Sequence, residues 1–246
     1  MSSFLPFPAS ADAGQIDGLM TLVHWLMAVL FVGWGAYFVW VLIRFRQSRQ
    51  PVANPDGARG RFALSTEIAV ITAELVLLVV FALPLWHNRT SAQPAMTEAV
   101  VIRVVAEQFA WNVHYPGADG RFGETSLALL TPTNPLGLDR RSPAGRDDIV
   151  EVNQIHLPIN RPAIVQLSSK DVIHSFGVPA MRVKRDAVPG LTAPVWFTPS
   201  AAGTFEIACS QLCGIAHFRM RATIVVESQT AFDDFLAGEA AAQRVP

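Results

Sequence analysis

Near its C-terminal end the chain reads Cys209-Ser210-Gln211-Leu212-Cys213-Gly214-Ile215-Ala216-His217-Phe218-Arg219-Met220, and these two cysteines are the only ones it has. Thiolate and thioether sulfurs are soft donors, and together with an imidazole they suit copper. A mononuclear blue-copper site needs one cysteine, so the second thiol calls for another explanation. A pair of coppers bridged by two sulfurs is one; a lone disulfide is another, which the neighbouring His and Met argue against. Zinc also competes, because two Cys and two His complete a tetrahedral site. Structural zinc more often uses Cys pairs on tight knuckles, and Met220 adds nothing to it, whereas a weak axial thioether suits copper.

The donors are spaced by four, four and three residues. On an α-helix, steps of four would line Cys209, Cys213 and His217 up one face, and a line does not surround a metal. Pro199, Gly203 and Gly214 point instead to a loop between two strands. Such a loop needs a further ligand from elsewhere. His174, in Lys170-Asp171-Val172-Ile173-His174-Ser175-Phe176, follows an apolar strand and precedes Gly177 and Pro179. The other histidines lack companions: His24 and His87 fall in the apolar N-terminal part, and His114 and His156 read as hydrogen-bonded structural residues.

The chain has 246 residues, with 19 Lys and Arg against 20 Asp and Glu. That balance, with a low charged and high apolar content, argues against a nucleic-acid partner and towards the membrane. Leu19 to Ile43 carries no Asp, Glu, Lys or Arg, and Ile68 to Trp86 is interrupted by Glu74 alone. Each is long enough to cross a hydrocarbon core of about 30 Å as a helix. Between them lie Arg44, Arg46, Arg49, Arg59 and Arg61 against Asp56, so the connection is expected in the cytoplasm and both termini outside. The opening residues lack a basic leader, and the first apolar run reads as a retained helix.

Beyond the polar stretch 88–97 the pattern changes to short alternating segments. Val100 to Tyr115 reads as a half-buried strand, 116–148 as loops and turns, and 149–153, 163–168, 195–198, 203–208 and 221–227 as further strands. That is the signature of a β-sandwich. Thr230-Ala231-Phe232-Asp233 resembles a capping box for a short C-terminal helix. The expected organisation is an extramembrane segment 1–18, spans 19–43 and 66–87 around an arginine-rich loop 44–65, and a linker 88–97. A metal-binding domain 98–228 and a helix and tail 229–246 follow.

Taken together, the chain resembles subunit II of the haem–copper oxygen reductases, the cytochrome c oxidase type. The Cys-x3-Cys-x3-His-x2-Met loop is highly specific to it, and Asp171 to Ser175 and Arg185-Asp186-Ala187-Val188-Pro189-Gly190 resemble two further family segments. The resemblance implies a two-helix N-terminal transmembrane hairpin followed by an all-β, cupredoxin-like Greek-key sandwich carrying a binuclear copper (CuA) centre. Cys209 and Cys213 would bridge both coppers, and His174 and His217 would each bind one. Met220 would be a weak ligand and the Gln211 carbonyl the sixth donor. It further implies electron entry from a cytochrome c, delivery to haem in oxidase subunit I alongside other oxidase subunits, and a bacterial inner membrane with the copper domain outside. A quinol-oxidase subunit would lack these ligands, a copper-delivery module would expose them, and nitrous-oxide reductases share the loop but not the helical hairpin.

Other positions carry over individually. Glu67 matches a family Glu at the entrance of a proton channel, and Glu74 lies two turns deeper on the same side. Phe109 stands where the family's electron-entry tryptophan would align, and Trp111 matches a second tryptophan. Gln211 replaces a Glu that binds magnesium at the boundary with subunit I. An amide carries no charge, which sets that site apart from the rest of the resemblance, with Asp186 left as an indirect contributor. From Glu98 onward the sequence holds fifteen acidic and thirteen basic residues. A nearly neutral surface cannot steer a basic soluble cytochrome over long range, so a donor held close, as a membrane-bound or complex-associated c-type haem, is expected. No Cys-x-x-Cys-His is present to attach haem to this chain.

Overall fold

The computed structural model describes residues 5–52, 61–91 and 93–243 of the chain. Asp56 and Arg59 of the arginine-rich connection lie outside the described residues, as does the end of the tail. Two compact units emerge, one within residues 15–91 and the other joining residues 5–14 to 93–243.

The helical unit follows from unbroken apolar sequence. Helix α1 (Ala13–Arg44) has 32 residues, about 48 Å at the α-helical rise and ample for a hydrocarbon core. The second span, Ala63–Ser91, is built from α2 (Arg61–Val76), a π-helical stretch Leu77–Ala82 and α3 (Leu83–Ser91). Its π-turn immediately precedes Pro84, which has no N–H to give and whose ring crowds the preceding carbonyls. Widening the ladder, with the Leu83 N–H reaching back to Leu78 O, accommodates the proline without breaking the helix. Apolar side chains on both spans are exposed, Phe31 at 81% and Trp86 at 64%, and both helices are long and apolar enough to cross a membrane. Thr66 and Thr72 turn their hydroxyls onto the Ala63 and Ile68 carbonyls, which satisfies them without water.

The second unit is a sandwich of two five-stranded sheets. In chain order the strands are β1 (Val100–Glu107), β2 (Ala110–Tyr115), β3 (Ile149–Val152), β4 (Gln154–Pro158) and β5 (Ala163–Ser169). They continue with β6 (His174–Val178), β7 (Val183–Ala187), β8 (Ala193–Phe197), β9 (Gly203–Cys209) and β10 (Arg221–Glu227). One sheet runs β3-β2-β1-β5-β8 and the other β4-β10-β9-β6-β7. The pairs β1/β5 and β10/β4 are parallel and the rest antiparallel. Alternation on β1 turns Ile102, Val104 and Ala106 inward against Trp111, Val165, Leu167, Phe176, Ile207 and Ile224. Each large apolar side chain so buried contributes roughly 1.5–3 kcal/mol.

Several expectations are corrected here. The segment 100–115 is a hairpin rather than one strand, turning at Gln108–Phe109 without any Gly, Pro or Asn to mark it. Strands β4, β6 and β7 carry too few β-branched residues in alternation to stand out locally. The segment 116–148 is, as expected, loops and turns with one short 3-10 turn, but it is packed: Leu136 and Leu138 are buried, and Phe122 packs edge-on against His114 with centroids 5.0 Å apart. It thereby covers His114 on β2, which is buried between Phe122 and Asp148. The N-terminal residues 9–13 are part of the sandwich. Ala9 N–H donates to Ala180 O, Ala11 N–H to Thr198 O, and the Ser10 hydroxyl to Met181 O. The small Ala9, Ser10 and Ala13 allow that close approach and are buried.

The last helix, α4 (Gln229–Ala242), is capped by Ser228, whose hydroxyl accepts from Ala231 N–H, and not by the box at Thr230 and Asp233. Asp233 accepts from the Gln229 side chain instead. Gln243 then docks on the edge of β3, accepting from Val150 N–H and donating to Val150 O. Beside it, burial, reinforced by the neighbouring Glu239, raises the Glu151 carboxyl above its ordinary value. A carboxyl raised on folding stabilises most below its unfolded pKa, and that stability is lost as pH rises through the folded value. Glu151→Gln is therefore expected to raise the melting temperature at about pH 7 and to give a smaller gain at about pH 4, checked by thermal unfolding at both.

Candidate metal centre

The register of the second sheet brings the donors together. Cys209 closes β9, and its N–H donates to the carbonyl of Met220 at the threshold of β10 (3.2 Å). The ten residues between them are thus cinched at their base. Strand β6 lies on the other side of β9, with Phe176 opposite Cys209, and its first residue is His174. Ser210 N–H donates to Ser175 O, tying the loop to that strand. Gly214 (φ 136°) turns the chain and His217 opens a short 3-10 helix, His217–Arg219, that returns it to Met220.

Six donor atoms form one contiguous cluster. The Cys209 and Cys213 sulfurs are 3.7 Å apart, and both cysteines are free. Cys213 Sγ lies 3.5 Å from His217 Nδ1 and 3.7 Å from Met220 Sδ. His174 Nδ1 is 3.1 Å from Met220 Sδ and 4.0 Å from Cys209 Sγ, and the Gln211 carbonyl is 3.2 Å from Cys209 Sγ. His174, Cys209, Cys213 and Met220 are buried, whereas the Gln211 side chain points to solvent. Sulfur-rich, nitrogen-containing and enclosed, this set fits copper. Burial, with Cys209 beside it, pushes the Cys213 thiol up to about 11, so in the metal-free protein it holds its proton and a cation must displace it.

The histidine is oriented from outside the cluster. His174 Nε2–H donates to Asp171 Oδ1 (2.8 Å), which leaves the Nδ1 lone pair facing the sulfurs. Asp171 also accepts from the N–H groups of Gln108 (2.7 Å) and Val172 (2.7 Å). Partial burial raises its carboxyl, but the bonds from His174, Gln108 and Val172 outweigh that and hold it below the ordinary value. The role of Asp171 was not singled out from sequence, although its position three residues before His174 was the available signal.

Trp111 is fully buried and meets His174 edge-on at 6.2 Å and Phe176 at 5.6 Å between centroids. Phe109 is half-buried, with its ring against Gly214 of the loop. Asp186, exposed on β7, accepts from the Ser175 hydroxyl (2.7 Å) next to His174. Glu67 and Glu74 lie exposed on α2, in the helical unit. Among the remaining histidines, His114 pairs with Asp148, His156 with Glu227, His24 with the Met20 carbonyl and His87 with Ser91.

A family model described as cytochrome c oxidase subunit II, periplasmic domain, matches residues 100–229. The alternative cytochrome c oxidase subunit 2 of Bradyrhizobium diazoefficiens is 34% identical over 232 residues, covering 93% of this chain and 82% of the relative. The chain belongs to the cytochrome c oxidase subunit II family. Another subunit 2, from Cereibacter sphaeroides, is 32% identical over 239 residues, covering 88% of this chain and 75% of that one. Among solved structures, the periplasmic domain of subunit II of cytochrome oxidase from Bradyrhizobium japonicum is 28% identical with a TM-score of 0.45, covering 61% of this chain and 97% of that one. As a subunit II, the chain is one part of a cytochrome c oxidase, and its two long apolar helices fit a membrane protein.

Proposed function

We propose that this subunit II is the electron-entry subunit of a respiratory oxidase, accepting electrons from a c-type cytochrome through a binuclear CuA centre and passing them to haem in subunit I. The carrying observation is the contiguity of six donors of the right softness, with both thiols free and central. Cys209 and Cys213 would bridge, His174 and His217 would each hold one copper, and Met220 and the Gln211 carbonyl would be weak donors. When bound, the copper pair supplies a one-electron carrier with its charge shared between two metals.

The chain's own contribution is a rigid frame. Sheet register holds Cys209 against Met220 and β6 against β9, so donor positions are set before any metal arrives. Asp171 keeps the His174 proton on Nε2. Phe109, half-buried beside Gly214, and Trp111, against the His174 ring, are the entry residues this arrangement favours. Glu67 is assigned the entrance of the proton channel, at one end of the second span. Spans 19–43 and 66–87 are assigned to the lipid of a bacterial inner membrane, with the arginine-rich connection in the cytoplasm and the copper domain 98–228 outside. The exposed amide of Gln211 adds no charge for the divalent cation that a Glu there would serve, so no magnesium role is assigned to it.

The full chain, purified in detergent and reconstituted with copper, is expected to bind two coppers and to show an electron paramagnetic resonance spectrum of one electron shared by two equivalent nuclei. A single copper, or preferred zinc, would overturn the reading. In the assembled oxidase, the near-neutral domain predicts that donor oxidation falls less than about tenfold with moderate salt. A larger fall would mean a freely diffusing basic donor.

A further inference from the structure

Gln108 sits at the turn between β1 and β2, exposed, with no place in the ligand set, yet both ends of this residue are engaged with it. Its side-chain Nε2 donates to the carbonyl of Cys213 at 2.6 Å. Its main-chain N–H donates to Asp171 Oδ2 at 2.7 Å, and the other Asp171 oxygen accepts from His174 Nε2 at 2.8 Å. One residue therefore grips the two ligand-bearing segments of the cluster, which approach it from β9–β10 and from β5–β6. The contact is close-fitting. A Cβ on Gly214 would lie 2.6 Å from Gln108 Nε2 and 3.2 Å from Phe109 Cζ, so the loop main chain lies directly on the Gln108–Phe109 corner.

We propose that Gln108 is a positioning residue for the copper centre, fixing the Cys213 main chain with its amide and the His174 ring, through Asp171, with its N–H. This rests on the copper reading above and deepens it. The amide bond clamps the loop next to the cysteine at the middle of the cluster. The N–H bond fills one Asp171 oxygen, leaving the other to hold the histidine. The same corner carries Phe109, so the residue next to this half-buried ring is itself hydrogen-bonded to the Cys213 carbonyl. A donor docking there would meet a surface already coupled to both ligand segments.

The side-chain grip needs an N–H donor with the reach of Gln108. Gln108→Glu keeps the shape and removes the donor, setting an oxygen against the Cys213 carbonyl; Gln108→Lys restores a donor. In the full chain, Gln108→Glu is expected to lose copper to a chelator about tenfold faster and to show altered copper hyperfine splitting. In the metal-free chain, its Cys213 should be alkylated by iodoacetamide about fivefold faster, because the loop opens more often. Gln108→Lys should stay within about threefold of the parent chain in both rates, with melting temperatures alike. The proposal is overturned if Gln108→Glu matches the parent chain in copper loss, spectrum and alkylation. It is equally overturned if both variants lose copper together with a lowered melting temperature, since that marks general destabilisation. A parent chain that takes up one copper would sink the binuclear reading alone, and the alkylation comparison would still decide Gln108.

Discussion

Cys213→Ser is expected to remove the two-copper spectrum and to reduce oxygen consumption with a c-type donor to background. Cys213 Sγ touches three other donors, at 3.5 Å from His217 Nδ1 and 3.7 Å from both Cys209 Sγ and Met220 Sδ. Residues that merely orient a ligand cost ten- to a hundredfold in metal affinity, so losing this sulfur should cost roughly a hundredfold or more. Serine is a harder and far less acidic donor, ill matched to copper at neutral pH. What remains, Cys209 with His174 and Met220, is the soft set of a mononuclear site. The variant is therefore expected to hold at most one copper, with the hyperfine pattern of a single nucleus. Metal analysis and paramagnetic resonance on the full chain test this, with oxygen uptake by the assembled enzyme as the functional check. Two coppers retained with an unchanged spectrum would mean that Cys213 is not a bridge. The fold should survive, because the substitution is nearly isosteric.

Asp148→Ala is expected to destabilise the sandwich by about 3–5 kcal/mol, the range for stripping a buried charged group from its partners. Asp148 is fully buried. Its carboxylate accepts from His114 Nε2 (2.6 Å) and from the N–H groups of Gly117 (3.0 Å) and Gly123 (2.7 Å). Its main-chain carbonyl accepts from Arg140, which also reaches Gln243 beyond α4. Alanine leaves the buried Gly123 N–H, the partly buried Gly117 N–H and an imidazole without this acceptor, each fully buried group costing about 1–3 kcal/mol. None of these partners touches a copper donor, so the spectrum of the folded fraction should not change. A fall in melting temperature of roughly 10 °C is the expected scale for a domain of this size. Asp148→Asn keeps one acceptor and should lose less. An unchanged melting temperature for Asp148→Ala would show that the cover 116–148 is held by its apolar contacts alone.

The copper loop was legible because its chemistry is local. Two thiols, an imidazole and a thioether at fixed short spacing restrict the metal wherever the loop lies, and a charge-free apolar run predicts a span from the cost of burying charge in lipid. The alternating segments after residue 98 were local in the same sense. The sequence itself thus determined the softness of the site, the two spans, the all-β class and, through the specificity of the loop, the family.

Tertiary structure alone decided which distant residues, beyond His174, position that site. Gln108 looks like an ordinary polar residue, and Asp171 is marked only by its place three residues before His174, until β1–β2, β5–β6 and β9–β10 meet at one corner. Likewise Ala9 and Ser10 become part of the sandwich only once Thr198 and Met181 present carbonyls to them. His114, read from sequence as an isolated structural histidine, gains its buried Asp148 from thirty-four residues away. The hairpin at Gln108–Phe109 was hidden because its turn carries none of the residues that mark turns, being held by Asp171 and Cys213 instead. Ligand identity is a property of side-chain chemistry and short spacing, which a sequence displays. Ligand geometry depends on strand register and long-range hydrogen bonds, which exist only after the chain has closed on itself.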